Sequence, residues 1–66
     1  MSGKTQNALA LARLEKGYTQ ERLASESSTS VKTIQLWEKI GTMSASVRKL
    51  APVASALGVD ISDILC

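Results

Sequence analysis

The chain has 66 residues, 44% of them hydrophobic, with eight Lys and Arg against six Asp and Glu, a single Cys and no His. A chain this short buries only part of the surface its unfolded form exposes, so two ordinary domains are excluded and one domain over residues 1–66, ordered from about 5 to 65, is expected. The apolar runs are too short to span a bilayer, and without His or a second Cys neither a zinc site nor an internal disulfide can be assembled.

Only Tyr18 and Trp37 are aromatic and there is no Phe, so the core has to come from Leu, Ile, Val and Ala. Ala and Leu favour helices, whereas strands prefer β-branched and aromatic residues, which points to an all-α fold. Met1 to Gln6 has one Lys and leads into no uninterrupted apolar stretch, so no secretory leader is read and a cytoplasmic location is expected. A net charge of +2 permits nucleic-acid binding without implying it, and the position of the charges has to decide.

In chain order, turn signals divide the sequence into five short helices. The first is expected from about Thr5, a candidate N-cap, to Lys16, with Gly17 as its stop. Its Ala8, Leu9, Leu11, Ala12 and Leu14 exceed one narrow stripe, so some apolar surface is left over. Thr19 caps a second helix that fades near Ser27, with Glu21 at the positive end of its dipole. Ser28, Thr29 and Ser30 form a polar turn, and Ser30 caps a third helix over about Val31 to Lys39. Two short helices about three residues apart make a helix-turn-helix.

Gly41 to Ala45 is read as a loop, followed by a fourth helix within Ser46 to Leu57 that ends at Gly58. Pro52 obstructs that helix, because it lacks an N–H and clashes with the carbonyl of Arg48, so the helix either starts late, near Lys49, or bends. Asp60 caps a last short helix through Leu65, with Asp63 near its positive end, and both aspartates read as structural rather than as a catalytic pair.

On the third helix, Ile34 and Trp37 point in nearly the same direction and mark the core side. With Ile34 set at 0°, Gln35 falls at about 100°, Lys39 at about 140°, Lys32 at about 160° and Leu36 at about 200°. The outward arc is therefore Lys32, Gln35, Leu36 and Lys39, flanked by Val31 and Thr33, and it holds no acid. A major groove calls for this mixture: Gln pairs with adenine N6 and N7, Lys with guanine O6 and N7, and apolar groups touch the thymine methyl. Lys and Gln are also ordinary residues of a solvated face, and the arc alone does not separate the two readings.

Two blocks of sequence carry a resemblance. Gly17-Tyr18-Thr19-Gln20-Glu21-Arg22-Leu23-Ala24 with Ser30, Thr33-Ile34 and Trp37-Glu38 resembles the central signature of the Cro/cI (Xre-type) helix-turn-helix family, the family of the phage repressors. Ala54-Ser55-Ala56-Leu57-Gly58-Val59-Asp60-Ile61 with Ile64-Leu65 resembles its closing helices. The resemblance implies a five-helix bundle like the lambda repressor DNA-binding domain, with the third helix in the major groove. It puts Val31, Lys32, Thr33, Gln35 and Leu36 where bases are read. It puts Gln20 at a phosphate on the N-terminus of helix two, and Ser30, Lys39, and Thr42 or Arg48 where the DNA backbone or minor groove is met. Arg13 and Glu38 fall where relatives pair helices one and three. The family commonly has Gly at the position of Ser28, where a left-handed backbone costs a serine roughly 1 kcal/mol, and apolar residues at Ser27 and Thr29, which implies a looser turn here.

The expected partner is double-stranded DNA, bound by a homodimer on a two-fold operator, because one module makes few phosphate contacts and two-fold pairing lets each copy read a half-site. A repressor is the expected role. The chain leaves no room for a separate ligand-sensing domain, so control is expected through concentration, a partner or proteolysis. Leu11, Leu14 and Leu36 suggest the alternative of a protein-interaction module, an antitoxin or antirepressor, and Leu65 is a candidate for a dimer seam. Val59, Ile61 and Ile64 read as core. No cofactor, metal, small-molecule substrate or membrane partner is expected, and without a nucleophile or an acid-base pair an enzyme is the weakest reading. Cys66 reads as a dangling terminal residue, with an intermolecular disulfide as its alternative.

Overall fold

In the computed structural model, which describes residues 7–65, four α-helices follow one another: α1 (Ala8–Lys16), α2 (Gln20–Ser27), α3 (Val31–Ile40) and α4 (Val47–Leu57). The segment expected as a fifth α-helix is a single 3₁₀ turn, Ile61–Ile64. Four residues lie between Asp60 at its cap and Leu65, where the backbone is already extended, and that is a length the tighter helix uses. Asp63 Oδ2 accepts the Asp60 N–H at 3.0 Å. Thr5 and Cys66 lie outside the described residues.

Each α-helix starts on a polar cap whose side chain accepts an N–H of the first turn, an arrangement that stabilises a helix by about 1 kcal/mol. Thr19 serves Arg22, Ser30 serves Thr33 and Ser46 serves Lys49. The first helix begins later than expected, because Asn7 is extended and its side chain accepts the Ala10 N–H at 2.9 Å. Asn7 Nδ2 also donates to the carbonyls of Trp37 and Glu38, at 2.8 and 3.1 Å, joining the start of α1 to the end of α3.

Three of the helices end alike. After α1, α2 and α4 the chain turns through a left-handed residue, and the next N–H reaches back five residues: Tyr18 to Arg13, Thr29 to Ala24 and Val59 to Ala54, at 2.9–3.0 Å. The turning residues are Gly17, Ser28 and Gly58, and Ser28, at φ 55°, is the described residue other than glycine with positive φ. The turn expected to be loose is instead closed by hydrogen bonds. Ser27, in a position expected to be apolar, is buried and donates its hydroxyl to the Leu23 carbonyl at 2.7 Å, while Thr29 donates to the Ser27 carbonyl at 3.2 Å.

Leu9, Leu23, Ile34, Leu50, Val53 and Ile64 have no exposed surface, and Ala24, Trp37, Ala54 and Leu57 complete the core around them. Burial of each large side chain contributes about 1.5–3 kcal/mol, which is how so short a chain offsets its ordering entropy. Helix α2 packs on both α3 and α4, and the 3₁₀ turn fills the gap between α1 and α4. Val59 and Ile61 pack against this core from its rim, and Leu65 stays 40% exposed.

Helix α4 does not start late. Ser46 caps it, it begins at Val47, and Pro52 sits inside it. The proline removes the N–H that would meet the Arg48 carbonyl, and both residues are exposed, so water can take that bond. Leu50, Val53, Ala54 and Leu57 are buried on either side of it, and their packing holds the helix through the break. No helix among the described residues is long and apolar enough to cross a membrane.

Candidate nucleic-acid interface

Helix α3 is anchored from behind. Ile34 is fully buried and Trp37 is 7% exposed, whereas Lys32, Gln35, Leu36 and Lys39 all lie exposed on the other side. The flanking Val31 and Thr33 are half-buried, Val31 against the core and Thr33 with its hydroxyl 2.8 Å from that of the exposed Ser30. Glu38, the acid of this helix, is turned away from the outward arc. Its side chain is 9% exposed and meets Arg13 of α1, Nε to Oε2 at 2.6 Å and Nη2 to Oε1 at 3.2 Å. The second guanidinium arm of Arg13 donates to the Tyr18 carbonyl at 2.7 Å, so one side chain ties α3 to the turn before α2.

Gln20 extends this arrangement to the surface. Its amide nitrogen donates to Glu38 Oε1 at 3.0 Å, and its carbonyl oxygen faces Gln35 Nε2 at 3.4 Å, a long and weak bond. A continuous set of contacts therefore runs from Arg13 through Glu38 and Gln20 to Gln35. The half-buried Gln20 side chain is engaged at both ends. What α2 offers an anion at its start is the amides of its first turn, which have no helical carbonyl to meet.

Lys39 and Arg48 are exposed, as a contact with a phosphate backbone needs. Thr42 is not. It has no exposed surface, and its hydroxyl donates to the Ile64 carbonyl at 2.7 Å, which corrects its expected place on the DNA backbone. The loop turns it inward because a hydroxyl there satisfies a carbonyl at the 3₁₀ turn that water cannot reach. Sequence reasoning misses Lys49, whose side chain lies beside Thr33 and Trp37 and lines the groove between α3 and α4. Its neighbour Arg48 is the available signal, since the two cations open the same helix.

At the far side of α2, Tyr18 lies under two cations, with the Arg22 guanidinium 4.7 Å and the Lys16 ammonium 5.9 Å from its ring centre. Arg22 also pairs with Glu26 at 3.0 Å, and the hydrogen bond and charge of Glu26 raise its already high pKa. No cluster of acids and Cys that could hold a metal is found among the described residues.

A pair of short helices, the second buried on one side and open on an acid-free other, is a helix-turn-helix. A family model described as helix-turn-helix matches residues 9–64, and the chain belongs to that family, the Cro/cI (Xre) type of DNA-binding regulators, whose members are typically not enzymes. No curated protein and no solved structure matches the chain.

Proposed function

We propose that the chain is a sequence-specific transcriptional regulator, acting as a repressor and binding a two-fold operator as a homodimer with α3 in the major groove. The observation that carries this reading is the outward arc of α3: two lysines, a glutamine and a leucine, all exposed, with the helix's acid withdrawn onto Arg13. Lys32, Gln35 and Leu36, flanked by Val31 and Thr33, are the base-reading residues of the proposal. Lys39, Arg48, Ser30 and the amides at Gln20 meet the phosphates. Phosphate contacts supply salt-dependent affinity, and the base edges supply the choice of sequence. The test is selection of bound duplexes from a random-sequence pool. A two-fold consensus supports the proposal, and no enrichment overturns it.

A second reading, a protein-interaction module on the same fold, draws on Leu11 and Leu14, which are 48% and 51% exposed on α1. Binding to duplex DNA that falls steeply with salt separates the two, since a protein contact through leucines does not follow that law.

A further inference from the structure

We propose that the groove between α2, α3 and α4 binds a small organic carboxylate with a flat apolar body, its charge on Lys49 and its ring against Trp37 and Pro52. The proposal stands apart from the operator reading, in which none of these three side chains meets the duplex.

The groove encloses about 620 Å³, within the range of about 300–1,000 Å³ that takes a small ligand. On one side stand the end of α2 and the turn after it, Glu26 to Thr29. Facing them, α4 presents Lys49, Pro52, Ser55 and Ala56, whose three- and four-residue steps keep them on one side of that helix. Helix α3 closes the back with Thr33 and with Trp37, which lines the groove although only 7% exposed. Thr33, Trp37 and Lys49 also line a smaller hollow that runs on to Ser44 and Ser46, so the Lys49 ammonium stands where two recesses join.

Charge identifies the occupant. Lys49, Ser28 and Ser55 each put a donor on the wall, and among the described residues none of these three side chains has a hydrogen-bond or ion-pair partner. The acid on the wall, Glu26, is already paired with Arg22 at 3.0 Å. An anion therefore meets an uncommitted charge at Lys49, whereas a cation would have to take Glu26 from Arg22. Trp37 and Pro52 supply the flat apolar surface on which a ring packs. Ser28 adds an observation independent of charge. It keeps, at φ 55°, the left-handed backbone that Gly17 and Gly58 take after two other helices, and strain of this kind collects where a ligand is held. Glycine there relieves the strain and takes a hydroxyl from the groove.

The experiment titrates the full chain, without DNA, with three probes. Phenylacetate carries ring and charge, phenylacetamide keeps the ring without the charge, and acetate keeps the charge without the ring. Amide and indole N–H shifts locate the binding, and Trp37, the only tryptophan of the chain, reports it separately by fluorescence. Phenylacetate should shift Ser28, Trp37, Lys49 and Ser55 to saturation, and the other two probes should bind about tenfold or more weakly. Lys49→Gln, a change at an exposed position, should melt as the unaltered chain does, bind phenylacetate no better than phenylacetamide, and bind phenylacetamide as before. Lys16→Gln, which removes a cation on the far side of α2, should change none of this. Acetate binding as tightly as phenylacetate, phenylacetate binding that survives Lys49→Gln or falls with Lys16→Gln, saturable shifts confined to other residues, or no saturable shift at millimolar phenylacetate each overturn the proposal.

Discussion

Arg13 and Glu38, twenty-five residues apart, form a two-pronged ion pair between α1 and α3 that is nearly closed to solvent, with 13% and 9% of their side chains exposed. An exposed pair contributes only about 0–1 kcal/mol, but removing one partner of a buried pair strands the other charge. Arg13→Met should therefore destabilise the chain by about 3 kcal/mol in urea unfolding. Arg13→Met combined with Glu38→Leu should cost clearly less than the sum of the two single changes. Additive losses would mean that the two charges do not act as a unit.

Ser28 holds the left-handed position that Gly17 and Gly58 fill at the ends of two other helices. A side chain in that conformation costs about 1–2 kcal/mol, part of which is offset by the greater freedom that glycine has in the unfolded chain. Ser28→Gly should stabilise by about 0.5–1 kcal/mol, raising Tm by roughly 2–8 °C. A calorimetric scan showing a lower Tm would contradict this.

Thr42 is assigned to the core, so Thr42→Val should remove the bond to the Ile64 carbonyl and cost about 1–3 kcal/mol of stability. At a temperature where both proteins are folded, the salt slope of duplex binding should be unchanged. A flatter slope would return Thr42 to the phosphate backbone.

Gln35 and Lys39 lie one turn apart on the open side of α3, and their losses should look different. Gln35→Ala should cost about 1–3 kcal/mol at one base position and relax the preference there. Lys39→Ala should weaken binding to all sequences alike and lower the salt slope by about one. Competition binding with single-base variants of the selected duplex, repeated over a range of salt, reads both effects.

Features set by near neighbours along the chain are legible in the amino-acid sequence. The caps at Thr19 and Ser30, the stops at Gly17 and Gly58, and the inward pair Ile34 and Trp37 all follow from local spacing. What escapes depends on partners far along the chain. Asn7 meets residues thirty and thirty-one positions away, Gln20 one eighteen away, and Thr42 one twenty-two away. A polar side chain does not disclose such a partner, so by sequence Thr42 reads as facing DNA and Thr5 as the cap of α1. Pro52 misleads on where α4 starts, for the opposite reason. Its local preference is real, but the buried residues around it outweigh that preference.

The contact of Asn7 with the carbonyls of Trp37 and Glu38 bears on what α1 is for. The Trp37 carbonyl already accepts the Gly41 N–H, and the cap of the first helix adds a second donor there and one to the Glu38 carbonyl. The tail of α3, and Lys39 with it, is thus steered by α1, whose outer side carries Leu11 and Leu14. A protein that gripped those leucines would take hold of the rudder that sets the angle at which α3 presents Lys39.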